Sequence, residues 1–166
     1  MVVLAAVTCL AIATGINAAQ VVASDESSVD AEVEVVSAGE ESYGARVIDS
    51  SQVLLPRLAL SEPDSLGACI FRNGWIVIKL GGTVADASMV SIWGADIGWQ
   101  HSNVKVSVSN DGSHWTRIAN LKIENALYQR YDTTGSFGDV RYIKVVRSGT
   151  PLSFLFLDAV YARGGD

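Results

Sequence analysis

The chain has 166 residues, with 12 Lys and Arg against 18 Asp and Glu, a formal charge of -6, two cysteines and 49% apolar residues. That length holds one domain of ordinary size plus a short extra segment, and not two cores. The acidic balance argues against a nucleic-acid partner, which needs a clustered positive surface, and two cysteines cannot frame a disulfide-held miniature fold.

Residues 2–23 form an apolar run broken only by Thr8, Thr14, Gly15, Asn17 and Gln20, and Val21, Val22 and Ala23 offer a small-residue cleavage position before Ser24. The segment 1–23 reads as a signal peptide or N-terminal apolar anchor, although no basic residue precedes the run. An apolar assembly segment is the third reading. Cys9 belongs to this segment, so no disulfide is expected within the mature domain, and Cys69 reads as a buried small apolar residue. Residues 24–43 are acidic and rich in Ser and small residues, the composition of a flexible spacer, in which 31–36 (AEVEVV) alternates like a short edge strand. Seven of the 18 acids lie in residues 25–41, and residues 1–45 contain no Lys or Arg. The remainder is therefore near neutral.

From residue 44 to 166, apolar stretches of strand length recur between turn signals: 45–48, 53–60, 75–80, 90–93, 104–109, 115–120, 126–132, 141–147 and 154–162. Gly81-Gly82, Asn110-Asp111-Gly112, 135–139 and 148–151 punctuate them. Short strands at this spacing, with no competing helical pattern, predict an all-β, two-sheet sandwich. The clearest piece is a hairpin in which Val104, Val106 and Val108 alternate with Lys105, Ser107 and Ser109. Its turn is expected at 110–112, with Trp115 returning over the valine face as a core ring. Trp75 is expected to begin a buried strand and Trp93 to end one.

No GxSxG, HExxH, P-loop or dinucleotide fingerprint is present, and His101 and His114 are the only histidines, too few for a zinc site. The chain therefore reads as non-enzymatic. The loop Trp93-Gly94-Ala95-Asp96-Ile97-Gly98-Trp99-Gln100-His101 is dense in flat and polar groups, which suit a sugar bound by ring stacking and edge hydrogen bonds. Trp99 and His101, with Arg72 and Asn73 from the loop before Trp75, are the candidate ligand residues.

The hairpin wording around Asp111, Gly112 and Trp115, the strand Arg141-Tyr142-Ile143 and the closing Leu157-Asp158-Ala159-Val160 resemble the discoidin, or coagulation factor 5/8 type C, family. The stretch 59–82, ALSEPDSLGA followed by GWIVIKLGG, resembles the opening of bacterial and archaeal members. The resemblance spans roughly residues 50–165 and implies a galactose-binding-like jelly roll, while one fold hosts many functions. It also implies a structural calcium held by an early loop and the last strand, here Asp64 and Asp158, with Asp standing where the family usually has Glu. The alternative is that Asp158 pairs with Arg141 and Asp64 caps a turn. The combined expectation is an extracellular or cell-surface binding or adhesion module with a glycan partner. The alternative is a structural subunit of a surface filament or layer that self-assembles through its N-terminal segment.

Overall fold

A computed structural model describes residues 35–36, 41–98, 101–124, 128–149 and 153–165. These belong to one unit, Glu34–Asp166. The signal or anchor segment 1–23 and Cys9 lie outside the described residues. Among the described residues, nine strands follow in order: β1 (Val35–Val36), β2 (Glu41–Leu54), β3 (Ala68–Val84), β4 (Ala87–Gly98), β5 (Ser102–Ser109), β6 (Thr116–Ile123), β7 (Gln129–Thr134), β8 (Val140–Ser148) and β9 (Ser153–Gly164). They are hydrogen-bonded in the order β6-β5-β8-β3-β2-β9-β4-β7, and every pairing is antiparallel except that of β1 with β3.

The path folds into two layers because β2 and β3 serve both. In β3, Ala68, Cys69 and Ile70 pair with β9, while the stretch from Trp75 to Lys79 pairs with β8. In β2, residues 41–43 pair with β9 and the rest with β3. One layer is therefore β6-β5-β8-β3-β2 and the other β9-β4-β7 with the first residues of β2 and β3. Alternation fills the space between them with aliphatic side chains: Ile76, Ile78 and Leu80 from β3, Val104, Val106 and Val108 from β5, Ile143 and Val145 from β8, Val90 and Ile92 from β4, and Leu155, Leu157 and Val160 from β9. The all-β sandwich expected from the strand spacing is present.

Several local expectations are corrected. Residues 53–60 are not one strand, because β2 ends at Leu54 and Pro56–Ala59 forms a 3-10 turn entered through left-handed Leu55 (φ 53°). Gly81 and Gly82 do not turn; they continue β3, and the reversal falls at Ala85 and Asp86, where Asp86 is left-handed. β1 falls within the 31–36 stretch that alternates like an edge strand, and β2 begins at Glu41, three residues before the expected domain start. Cys69 is fully buried, as its apolar neighbours predict, and it is not a free thiol.

The largest correction concerns the tryptophans, since Trp75, Trp93 and Trp115 all lie outside the core cluster. At the hairpin, Asp111 Oδ1 accepts from the backbone N–H groups of Ser113 and His114, each at 2.8 Å, and Gly112 supplies φ 78°. These bonds lengthen the turn to residues 110–115, so β6 starts only at Thr116 and Trp115 emerges on the solvent side. There the Lys144 ammonium sits 5.6 Å from its ring centre. Ile143→Ala should therefore destabilise the domain by about 2–5 kcal/mol, the range for emptied aliphatic core positions. Trp115→Ala should cost about 1 kcal/mol or less. Urea melts of the two variants check the assignment, and equal losses would return Trp115 to the core.

Candidate functional site

One end of the sandwich collects most of the sequence candidates. Opposite Gln52 of β2, β3 carries extra residues: Ile70 pairs with Val53 and Trp75 with Ser51, so residues 71–74 project as a wide bulge. Gln52 and Asn73 are both left-handed, and a Cβ on Gly74 would lie 2.7 Å from the Gln52 carbonyl oxygen, which makes the bulge tight at its base. Arg72 and Asn73 are exposed at its tip. Phe71 turns back and packs on Phe154 of β9, with ring centres 6.1 Å apart. His101, exposed just before β5, stands at the same end, because the strand starts Ser102 and Ser153 and the strand ends Gly98 and Ser148 meet there. Trp99 lies outside the described residues.

Beneath these groups is a buried polar network. Arg147 donates through Nε to Ser102 Oγ at 2.6 Å and through Nη2 to Ser153 Oγ at 2.5 Å. Ser102 Oγ in turn donates to Asp96 Oδ2. Asp96, Ser102 and Arg147 are fully buried. Burial raises the Asp96 pKa, opposed by the Ser102 hydroxyl and the Arg147 charge, with His101 adding a smaller pull. Removing one partner from such a network leaves an uncompensated buried group, so these residues make a rigid floor.

Asp64 and Asp158 also come together. Asp158 is fully buried on β9; its Oδ2 accepts from the Ser65 N–H at 2.9 Å and from the Tyr128 hydroxyl, and its Oδ1 accepts from the Asp64 N–H at 3.4 Å. The Asp64 carboxylate faces the Leu66 N–H at 2.8 Å. Arg141 does not pair with Asp158 and instead lies over the Tyr142 ring. Calcium requires six to eight oxygen ligands. Around Asp158 the groups present are N–H and O–H donors, and no cluster of three His, Cys, Asp or Glu occurs among the described residues. In this arrangement the Asp158 oxygens are taken up by these donors, and Asp158 ties the 62–66 loop to the last strand.

The remaining polar contacts give no catalytic relay among the described residues. Ser113 Oγ and Asp111 Oδ2 both meet the same His114 nitrogen, Nδ1, at 3.2 and 2.6 Å, so the ring cannot pass a proton from one to the other through its two nitrogens. The pair is solvent-exposed, and Asp111 holds the His114 pKa above its ordinary value.

Two surfaces escaped sequence reasoning. On the outer face of β9-β4-β7, Tyr43, Trp93 and Tyr161 pack ring against ring at 5.0–6.2 Å, with the Arg130 guanidinium 4.9 Å from the Trp93 ring centre and 5.4 Å from that of Tyr161. The Tyr161 hydroxyl donates to Glu41, and its pKa is pushed up to about 12, first by burial. With Tyr161 only 3% exposed, this is a filled cluster and not an open stacking platform. The second surface is the outer face of β6-β5-β8-β3, where Trp75, Trp115 and Lys144 meet. Both follow from period-two alternation once strand order is known, and strand order was not readable.

Asp158 gives a pH test. Burial is the first cause of its raised pKa, opposed by the Tyr128 hydroxyl and the Ser65 and Asp64 N–H groups. A carboxyl raised on folding contributes fully below its unfolded pKa of about 3.9, and that contribution is lost as pH rises through the folded value. Asp158→Asn removes the titration while an amide oxygen can still accept from Ser65 and Tyr128. As pH rises above about 4, wild type should lose stability relative to Asp158→Asn in paired urea melts. Chelator should leave the melting temperature of wild type unchanged, and a fall would restore the ion.

No protein-family model and no curated protein matches the sequence. Solved structures do match in fold. A pectin-binding carbohydrate-binding module aligns with a TM-score of 0.50 at 15% identity, over 69% of this chain and 88% of that one. A family 32 carbohydrate-binding module produced by Clostridium perfringens gives 0.50 at 15% identity, over 76% and 94%. The family 32 module of AlyQ, in complex with 4,5-unsaturated mannuronic acid, gives 0.51 at 13% identity, over 70% and 98%. With the strand order and the two-layer core, these place residues 41–165 in the discoidin-like, galactose-binding-like jelly-roll fold.

Proposed function

We propose that the chain is an exported, non-catalytic carbohydrate-binding module whose ligand site is the sandwich end carrying Arg72, Asn73 and His101. The observation that carries this reading is the pairing of exposed donors with a rigid floor. Arg72, Asn73 and His101 reach solvent at the end where Asp96, Ser102, Arg147 and Ser153 lock the strand termini from below. A backbone fixed at this end keeps the loops that carry these donors in one place, so less freedom is lost when they engage hydroxyl groups. A guanidinium offers paired donors to neighbouring sugar oxygens, an amide both donates and accepts, and an imidazole adds a ring edge. The shared fold with modules described as binding pectin and unsaturated mannuronic acid supports a glycan ligand. The apolar run at 2–23 supports export to the cell surface or beyond.

A glycan-array screen of the chain, followed by retention measurements on its best ligand, tests the site. Arg72→Ala and His101→Ala should each weaken retention by about tenfold while shifting unfolding free energy by no more than about 0.5 kcal/mol, since both side chains are exposed. Retention that survives both substitutions unchanged would move the ligand elsewhere on the domain.

A further inference from the structure

The outer face of the layer β6-β5-β8-β3-β2 concentrates charge in a way that the net value of -6 conceals. Antiparallel register puts directly opposed residues on the same side of a sheet. Lys105 stands in the row that runs through Val146 to Trp75, Lys144 in the row from Ser107 to Val77, and Lys79 opposite both Tyr142 and Arg46. Lys122 and Arg117 extend the rows on β6, opposite Asn103 and Ser107. The intervening residues Ile76, Ile78, Val104, Val106, Ile143 and Val145 all point into the core, which fixes the opposite direction for these cations. The face therefore holds all four lysines of the chain together with Arg46 and Arg117, half of its 12 basic residues. This overturns the ground on which nucleic acid was set aside, because a clustered positive surface is present.

The face is also built for rings. The Lys144 ammonium lies 5.1 Å from the Trp75 ring centre and 5.6 Å from that of Trp115, so one cation stands between two half-exposed indoles. Acidic groups are sparse there: Asp49 lies at the β2 margin, and Lys122 pairs with Glu124 at 3.2 Å. Among the described residues, no carboxylate forms an ion pair with Arg46, Lys79, Lys105, Arg117 or Lys144.

We infer that this face binds a linear acidic polysaccharide whose sugar rings carry carboxylates. Ring faces stack on Trp75 and Trp115, and a carboxylate is met by Lys144, with Lys105 and Lys79 reading the next charges along the polymer. A uronate polymer suits the patch better than DNA. It carries one charge per sugar, whereas duplex DNA presents about one per 1.7 Å of its axis, a density that an acidic protein repels outside the patch. The surface is separate from the loop end, and neither reading depends on the other.

Affinity electrophoresis of the full chain through gels containing polygalacturonate or alginate provides the test, with dextran as the neutral polymer and duplex DNA at matched charge as the competing polyanion. Wild type should be retarded by the uronate polymers and not by dextran, and the retardation should weaken with added salt. The double variant Lys105→Gln/Lys144→Gln should lose about tenfold or more in apparent affinity while still unfolding cooperatively, its melt lowered only by the lost ring contacts of Lys144. Lys144→Arg keeps binding by keeping the charge. Trp115→Ala should weaken retardation without unfolding the domain, and Arg72→Ala should leave it intact. Absence of retardation by both uronate polymers, retention indifferent to the lysine substitutions, or equal binding of DNA would each overturn the inference.

Discussion

The double service of β3 is the constraint on which the architecture depends. A strand that pairs with β9 through Ala68, Cys69 and Ile70, and with β8 from Trp75 onward, must leave one layer and join the other. It can do so only if its pleat is interrupted, and residues 71–74 are that interruption. β2 bends at the matching place through left-handed Gln52. Regular hydrogen bonding resumes on either side, so the backbone groups stay satisfied while the sheet turns a corner. The exposed position of Arg72 and Asn73 thus follows from a topological need, and a binding loop at that corner requires no further device.

A second crossing reinforces the first. β4 and β9 stay paired from Ala87 to Gly98, but the register shifts between Trp93 and Gly94. A Cβ on Gly94 would lie 2.4 Å from the Phe156 carbonyl oxygen, so the two strands approach there more closely than any side chain allows. On the β9 side of the shift stands Asp158, whose carboxylate gathers the N–H groups of the 62–66 loop and the Tyr128 hydroxyl. A buried carboxyl needs partners to offset its lost water, and here N–H and O–H donors supply them. The same residue that family resemblance marks as an ion ligand therefore works here as an anchor for a loop, and its surroundings are organised as a set of donors.

Alternation was legible wherever one face of a strand was aliphatic. Val104, Val106 and Val108 point into the core as their spacing demands, and the paired Ile143 and Val145 meet them. The tryptophans were not legible, because size suggests burial while placement depends on turn length. Asp111 satisfies two successive N–H groups, extends the turn, and so delivers Trp115 to the outer face. Trp75 and Trp93 leave the core for a simpler reason, since each neighbours an isoleucine, Ile76 or Ile92, whose side chain takes the inward position. The β3 segment beginning at Ala68 was hidden because its apolar run is only four residues, 68–71, before the polar Arg72-Asn73-Gly74 reads as a turn. At the candidate end, composition drew attention to Arg72, Asn73 and His101, but not to Arg147, whose partner Ser102 lies 45 residues away in sequence.

The basic face shows why a charge total is a poor guide to partners. Summed over the chain, charge predicts solubility and long-range repulsion. Contact within a Debye length of about 8 Å is governed by the local arrangement. Strand pairing converts residues scattered from Arg46 to Lys144 into adjacent rows, and period-two alternation sends the aliphatic half of each strand inward and the cationic half outward. The pattern that builds the core therefore also assembles the surface. Indoles excluded from an aliphatic core by turn geometry or parity come to rest among those cations, where Lys144 stabilises both rings at the cost of its own hydration. That arrangement keeps an ammonium close to two flat apolar surfaces, and it does so on a rigid sheet, so a ligand that needs both meets them already in position.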